Sequence, residues 1–112
     1  MALILPILQC TIKMFYKIHK TKQGHVLAVA DEDLLGKHLK FKDTEIFVNP
    51  RFYGDKKVSK EWLLKEMNSP GIISVNLIGK EAVACGIKAG VIDKDRIIKI
   101  GKISHAQGFL IF

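Results

Sequence analysis

The chain has 112 residues, 48% of them hydrophobic and 26% charged, which fits one globular domain with a modest core and argues against a disordered chain. Its formal charge is +7, and a basic balance favours anionic partners: RNA, DNA, acidic proteins or phosphorylated ligands. Arg51 and Arg96 are the only arginines among 18 cations, so the planar fork that reads phosphates and base edges is scarce.

The chain opens with "MALILPILQCTIK", which is apolar but interrupted by Pro6 and Gln9. It lacks the basic n-region of a signal peptide. It is also well short of the roughly 20 residues that span a bilayer, so no membrane partner is expected. A regular pattern starts at Met14. We take Met14 as the expected natural start and residues 1–13 as an upstream translation artefact. The alternative is an extra strand or an exposed tail. Intact mass decides between them, because a native mass beginning at Met1 rules out the later start.

From Met14 the elements follow in order. "MFYKIHKT" alternates like a half-buried strand. "KQGH" reads as a hairpin turn at Gly24, and "HVLAVA" as a second, central strand. "DEDLLGK" fits one helical turn with Asp31 as N-cap and Gly36 as its stop. "HLKFKDTEIFVNP" gives a strand pair near 38–42 and 45–48, ended by Asn49-Pro50. "RFYGD" reads as a loop. "SKEWLLKEMNSPG" is a helix capped by Ser59, with Trp62 and Met67 as core contacts.

"GIISVNLIG" predicts a strand over about 72–78. "KEAVACGIKAG" predicts a helix ending at Gly90, with Cys85 as a small core residue. A strand at 96–100 and the final strand "ISHAQGFLIF" complete the chain. A right-handed crossover from the 72–78 strand through the helix to the 96–100 strand is expected. The predicted class is α+β or mixed α/β: residues 14–112 form a single small domain with a mostly antiparallel sheet and two to three short helices. Cys10 and Cys85 are unclustered and the four histidines show no ligand spacing, so neither metal nor cofactor is expected.

Two sets of residues could carry function. Period 2 places His105 and Gln107 on one face of the last strand, and Ser74 and Asn76 on one face of the 72–78 strand. With Gly79 and Lys80 at the following helix entry, this suggests a ligand pocket of Asn76, Gly79, Lys80, His105 and Gln107. An unfilled helix N-terminus there would attract phosphate or carboxylate. The pattern of a P-loop is absent. The plainer alternative is that His105 and Gln107 satisfy backbone carbonyls or each other. No nucleophile–base order is legible, so no catalytic residue is assigned.

The second set is basic. Lys37, Lys40 and Lys42 surround Phe41, and Arg51, Tyr53, Lys56 and Lys57 follow in "RFYGDKK". Cations interleaved with aromatics suit single-stranded RNA. Phe41 is expected in the core; Arg51 and Tyr53 could serve either the core or a ligand.

The strings "DEDLLGK", "RFYGD", "VNLIGKEAVACGIKAGVI" and "IIKIGKISHAQGF" resemble a family of small archaeal proteins catalogued as a domain of unknown function. The resemblance runs from about Met14 to Phe109, and Asn-Leu-Ile-Gly-Lys-Glu-Ala-Val with the late His-Ala-Gln carries it. Ser104 stands where that family has Pro, so the turn there differs. The resemblance implies a start at Met14, a cytoplasmic archaeal protein and a link to translation genes, and it carries over no catalytic residue. Three readings result: a non-enzymatic RNA- or ribosome-associated module, a small enzyme or phospho-ligand binder, and an interaction subunit using a sheet edge or residues 1–13.

Overall fold

The computed structural model describes residues 13–54 and 56–110. Residues 1–12, nearly all of the apolar opening, lie outside the described residues, and Lys13 opens the first strand. In chain order the elements are β1 (Lys13–Lys20), β2 (His25–Asp31), β3 (His38–Phe41), β4 (Thr44–Phe47), α1 (Pro50–Tyr53), β5 (Lys56–Ser59), α2 (Lys60–Glu66), β6 (Ile72–Ile78), α3 (Lys80–Lys88), a 3-10 turn (Lys94–Arg96), β7 (Ile98–Ile100) and β8 (Ile103–Phe109).

Six strands form one sheet in the order β5-β1-β2-β6-β8-β7, and β3 with β4 forms a separate hairpin. Every neighbouring pair is antiparallel except β2–β6. The fold is therefore α+β with a mostly antiparallel sheet, as the sequence predicts. The one parallel pair sits at the centre, where Leu27, Ala28, Val29 and Ala30 are fully buried. A strand covered on both faces needs a continuous apolar run, and "VLAVA" supplies it.

Each sheet face has its own core. On one face α2 and α3 pack over Leu27, Val29, Val75, Leu77 and Ala106, with Leu63, Met67, Val83 and Cys85 contributed by the helical side. Trp62 is half-buried and lies against Tyr16, with ring centroids 4.6 Å apart. On the other face α1 and the β3–β4 hairpin pack Val48, Tyr53, Leu39 and Ile46 over Ala28, Ala30 and Ile78. The alanines are what let a second layer approach this face closely.

Three local expectations are corrected. Asp31 does not cap the turn that follows it; it ends β2, and its carboxylate accepts from the backbone N–H groups of Glu81 and Ala82 at 3.0 and 2.7 Å. It is therefore the cap of α3, which lacks a side-chain cap at its own Gly79. "RFYGD" is not all loop: Asn49 Oδ1 accepts from the Arg51 N–H at 2.9 Å, Pro50 opens the turn, and α1 forms. Phe41 is 44% exposed rather than in the core: it shares a face with Leu39 and Ile46 but stands opposite Thr44 at the turn end of the hairpin, beside Gly101, beyond the second core. The crossover from β6 through α3 leads to β7 as a parallel strand one place removed, since β8 lies between them and pairs antiparallel with both.

Candidate functional site

The register brings the predicted polar residues of two strands together. Asn76 of β6 stands opposite Gln107 of β8, and Ile78 opposite His105. His105 Nε2 lies 3.2 Å from Asn76 Oδ1. A residue the sequence had assigned elsewhere completes the arrangement: Tyr53 Oη donates to the same Asn76 Oδ1 at 2.8 Å. One carbonyl oxygen thus accepts from both sides. This fixes His105 as the tautomer carrying its proton on Nε2, and leaves the lone pair on Nδ1.

Burial tunes the groups. It holds the His105 imidazole below its ordinary range, so the ring is neutral at neutral pH. It pushes the Tyr53 phenol up to about 12, so the hydroxyl stays a donor. The Cys85 thiol is pushed up to about 11 by burial, which rules it out as a thiolate nucleophile at neutral pH.

Gly79 and Lys80 do not join this cluster. The chain passes from Ile78 through Gly79 into α3, which packs on the opposite face. Gly79 has φ +111, and any Cβ there would run into the Asp31 side chain. The expected anion at the helix entry is thus supplied from within the chain, by Asp31. Burial pushes the Asp31 carboxyl above the ordinary aspartate range, outweighing the pull of its two N–H bonds. Lys80 is solvent-exposed, and so is Gln107.

The basic residues also separate. Lys37, Lys40 and Lys42 are exposed on or beside the hairpin, with the Lys42 ammonium 5.3 Å from the Phe41 ring centre. Lys57 is paired with Glu32 at 3.0 Å and lies over the Phe15 ring. Tyr53 is only 5% exposed and cannot stack on a base. Its ring fills the second core while its hydroxyl binds Asn76.

Arg51 and Lys56 remain, and they meet cations that sequence reasoning missed. β5 pairs β1 only as far as Tyr16–Lys56, so β1 runs on past its partner. A cleft of about 470 Å³ lies there, lined by Tyr16, Lys17, Ile18, Lys20 and Lys56. A second, of about 290 Å³, is lined by Lys17, Pro50, Arg51 and Gly54. They share Lys17, whose ammonium donates to the Arg51 carbonyl at 3.1 Å and ties α1 to the strand. Gly54, at φ +86, sits so close to the Tyr16 carbonyl that no side chain fits. The outcome is a groove with four cations, a tyrosine edge and no described carboxylate in its lining. The signal in the sequence was a strand with Lys17 on one face and Lys20 following Tyr16 and Ile18 on the other, a pattern that marks an edge strand as readily as a binding one.

A family model described as a protein of unknown function, DUF424, matches residues 18–111. The chain belongs to the DUF424 family. A crystal structure of an uncharacterized conserved protein from Methanopyrus kandleri is similar to this DUF424 chain, with 28% identity, a TM-score of 0.75, and coverage of 88% of this chain and 92% of that one. No curated protein matches it. No group of three or more potential metal ligands occurs among the described residues. No helix among them is long and apolar enough to cross a membrane.

Proposed function

We propose that this DUF424 chain is a non-enzymatic module that binds single-stranded RNA in a cytoplasmic, translation-linked setting, through the groove along the free edge of β1. The observation that carries the reading is the convergence of Lys17, Lys20, Arg51 and Lys56 on two clefts that share a wall. Lysine and arginine side chains spaced along a groove neutralise successive phosphates and release counterions. Tyr16 adds an apolar edge within the groove.

Four phosphate contacts on a single strand give a slope of log K against log salt of about −3. Fluorescence anisotropy with a labelled RNA dodecamer between about 50 and 200 mM salt reads this directly, and affinity should fall by a factor of about 60. Lys17→Glu with Lys56→Glu should abolish binding at the higher salt and flatten the slope. Absence of binding at the lower salt, or an unchanged slope in the double variant, refutes the reading.

The alternative of a phospho-ligand or substrate pocket at Asn76, Gly79, Lys80, His105 and Gln107 has less support. Its helix N-terminus is filled by Asp31, and its histidine is neutral.

A further inference from the structure

β7 covers β8 only from Ile103 to His105, so the outer edge of β8 beyond that point is free of a strand partner. The loop between α3 and β7 folds back alongside it, held by Val91 N–H and Ile92 N–H bonds to the Gly86 carbonyl at 3.0 and 3.1 Å. Between loop and strand lies a hollow of about 280 Å³ whose walls include Ile92, Asp93, Arg96, Gln107 and Phe109. Gly108 allows the close approach, since a Cβ there would stand 2.5 Å from the Val91 carbonyl oxygen.

The contents of this hollow are unusual for the molecule. Phe109 is 77% exposed, the most exposed large apolar side chain of the described residues. Arg96 is one of only two arginines, and its guanidinium pairs with no described residue. Asp93 uses one carboxylate oxygen to accept the Asp95 N–H at 2.9 Å, which fixes the group and leaves the other oxygen available. The Gln107 amide is exposed and bonds to no described residue.

A flat aromatic face, a forked donor, a held carboxylate acceptor and an amide define a planar heterocycle with acceptors on one edge and donors on another. Guanine has that pattern: O6 and N7 accept, which suits an arginine fork, while N1–H and the exocyclic amine donate, which suits a carboxylate. Adenine offers no donor pair for the carboxylate beside its acceptors, and the pyrimidines present a smaller face for stacking. We propose that this hollow is a guanine-base site, with Phe109 as the stacking surface, Arg96 and Asp93 as edge readers and Gln107 as an adjustable partner. The base is presented by the single strand whose phosphates lie in the β1 groove, and to that extent the inference rests on the RNA reading above.

Two ligands separate the two ideas. One is a set of labelled uridine dodecamers carrying a central G, A or C, or unchanged; the other is free guanosine monophosphate, followed by NMR at the Gln107 side-chain amide. The expected result is tighter binding of the central-G strand by about tenfold. Arg96→Lys, which keeps the charge and loses the fork, should remove the preference but retain salt-dependent binding. Phe109→Ala should weaken every strand by roughly fivefold or more. Asp93→Asn retains the acceptor for Asp95 and should lower the preference for G alone. Thermal melts of each variant establish that the fold is kept.

Equal binding of all four strands, insensitive to Arg96 and Phe109, overturns the base site and leaves the groove standing. Binding of the free nucleotide, sensitive to Arg96→Lys, without any RNA binding keeps a guanine site and overturns the single strand as its source. Binding of neither ligand overturns both. A Phe109→Ala effect confined to self-association overturns the site in favour of a protein contact.

Discussion

Replacing Asn76 by Ala should destabilise the domain by about 2–4 kcal/mol. The side chain accepts from Tyr53 at 2.8 Å and from His105 at 3.2 Å. Each bond contributes roughly 0.5–1.5 kcal/mol net, and a buried hydroxyl left without an acceptor costs about 1–3 kcal/mol more. Tyr53 is 5% exposed, so no bulk water is available to replace the lost acceptor. Urea unfolding measures the change as a lower midpoint at constant slope, and a melting temperature lower by at least about 8 °C should accompany it. Tyr53→Phe removes only one of the two bonds and should cost about 1 kcal/mol. The two changes act on one bond, so the double variant should fall short of additivity by about 1 kcal/mol. A cost below about 1 kcal/mol for Asn76→Ala, or strict additivity, refutes the claim that this oxygen ties α1 to the sheet.

Stability should also fall on acidification because of His105. Burial holds its folded value below 6.5, so the unfolded chain binds the proton first. Its contribution is complete above about pH 6.5 and declines as the pH drops through the folded value. Subtracting the urea midpoints of His105→Gln from those of the unaltered chain between about pH 7.5 and 5 isolates this slope, and a difference that stays flat contradicts it. Asp31→Ala should cost about 1–2 kcal/mol by uncapping α3. Gly79→Ala should cost at least as much, and the two together less than their sum, which a double-mutant cycle of denaturation energies reads.

The strands were legible where one face is buried and one is wet. Period 2 marks the alternation of β1, pairs His105 with Gln107 on β8 and Ser74 with Asn76 on β6, and the register then joins Asn76 to the first pair. Ser59 signalled α2 by its position before an apolar run, and it accepts the Trp62 N–H at 3.2 Å. Local rules failed where a distant partner takes the residue. Asp31 has the chemistry of an N-cap and acts as one, but for a helix 50 residues away. Tyr53 could have served either the core or a ligand, and no local pattern records that Ala28 and Ala30 leave room for its ring. β5 has only Val58 as an apolar strand residue in "KKVS", too little for alternation to register. Its shortness is what leaves the β1 groove open. The face on which Asn76 lies relative to α3 could not be read either, because a strand pattern distinguishes two faces without saying which one a helix will cover.

The single parallel pair at the centre of the sheet has a consequence for synthesis. β2 hydrogen-bonds β1 on one side as soon as both have emerged, but its other side waits for β6. The Asp31 carboxylate likewise waits for the α3 backbone, 50 residues later. At about 5–20 residues per second, that interval lasts roughly 2–10 s. Throughout it, the run Leu27–Ala30 presents an unpaired apolar edge, the kind that recruits strands from neighbouring chains. The lysines that crowd β1 next to it keep like chains apart while the edge is bare, so charge concentrated on the first hairpin protects the nascent chain as well as shaping the finished groove.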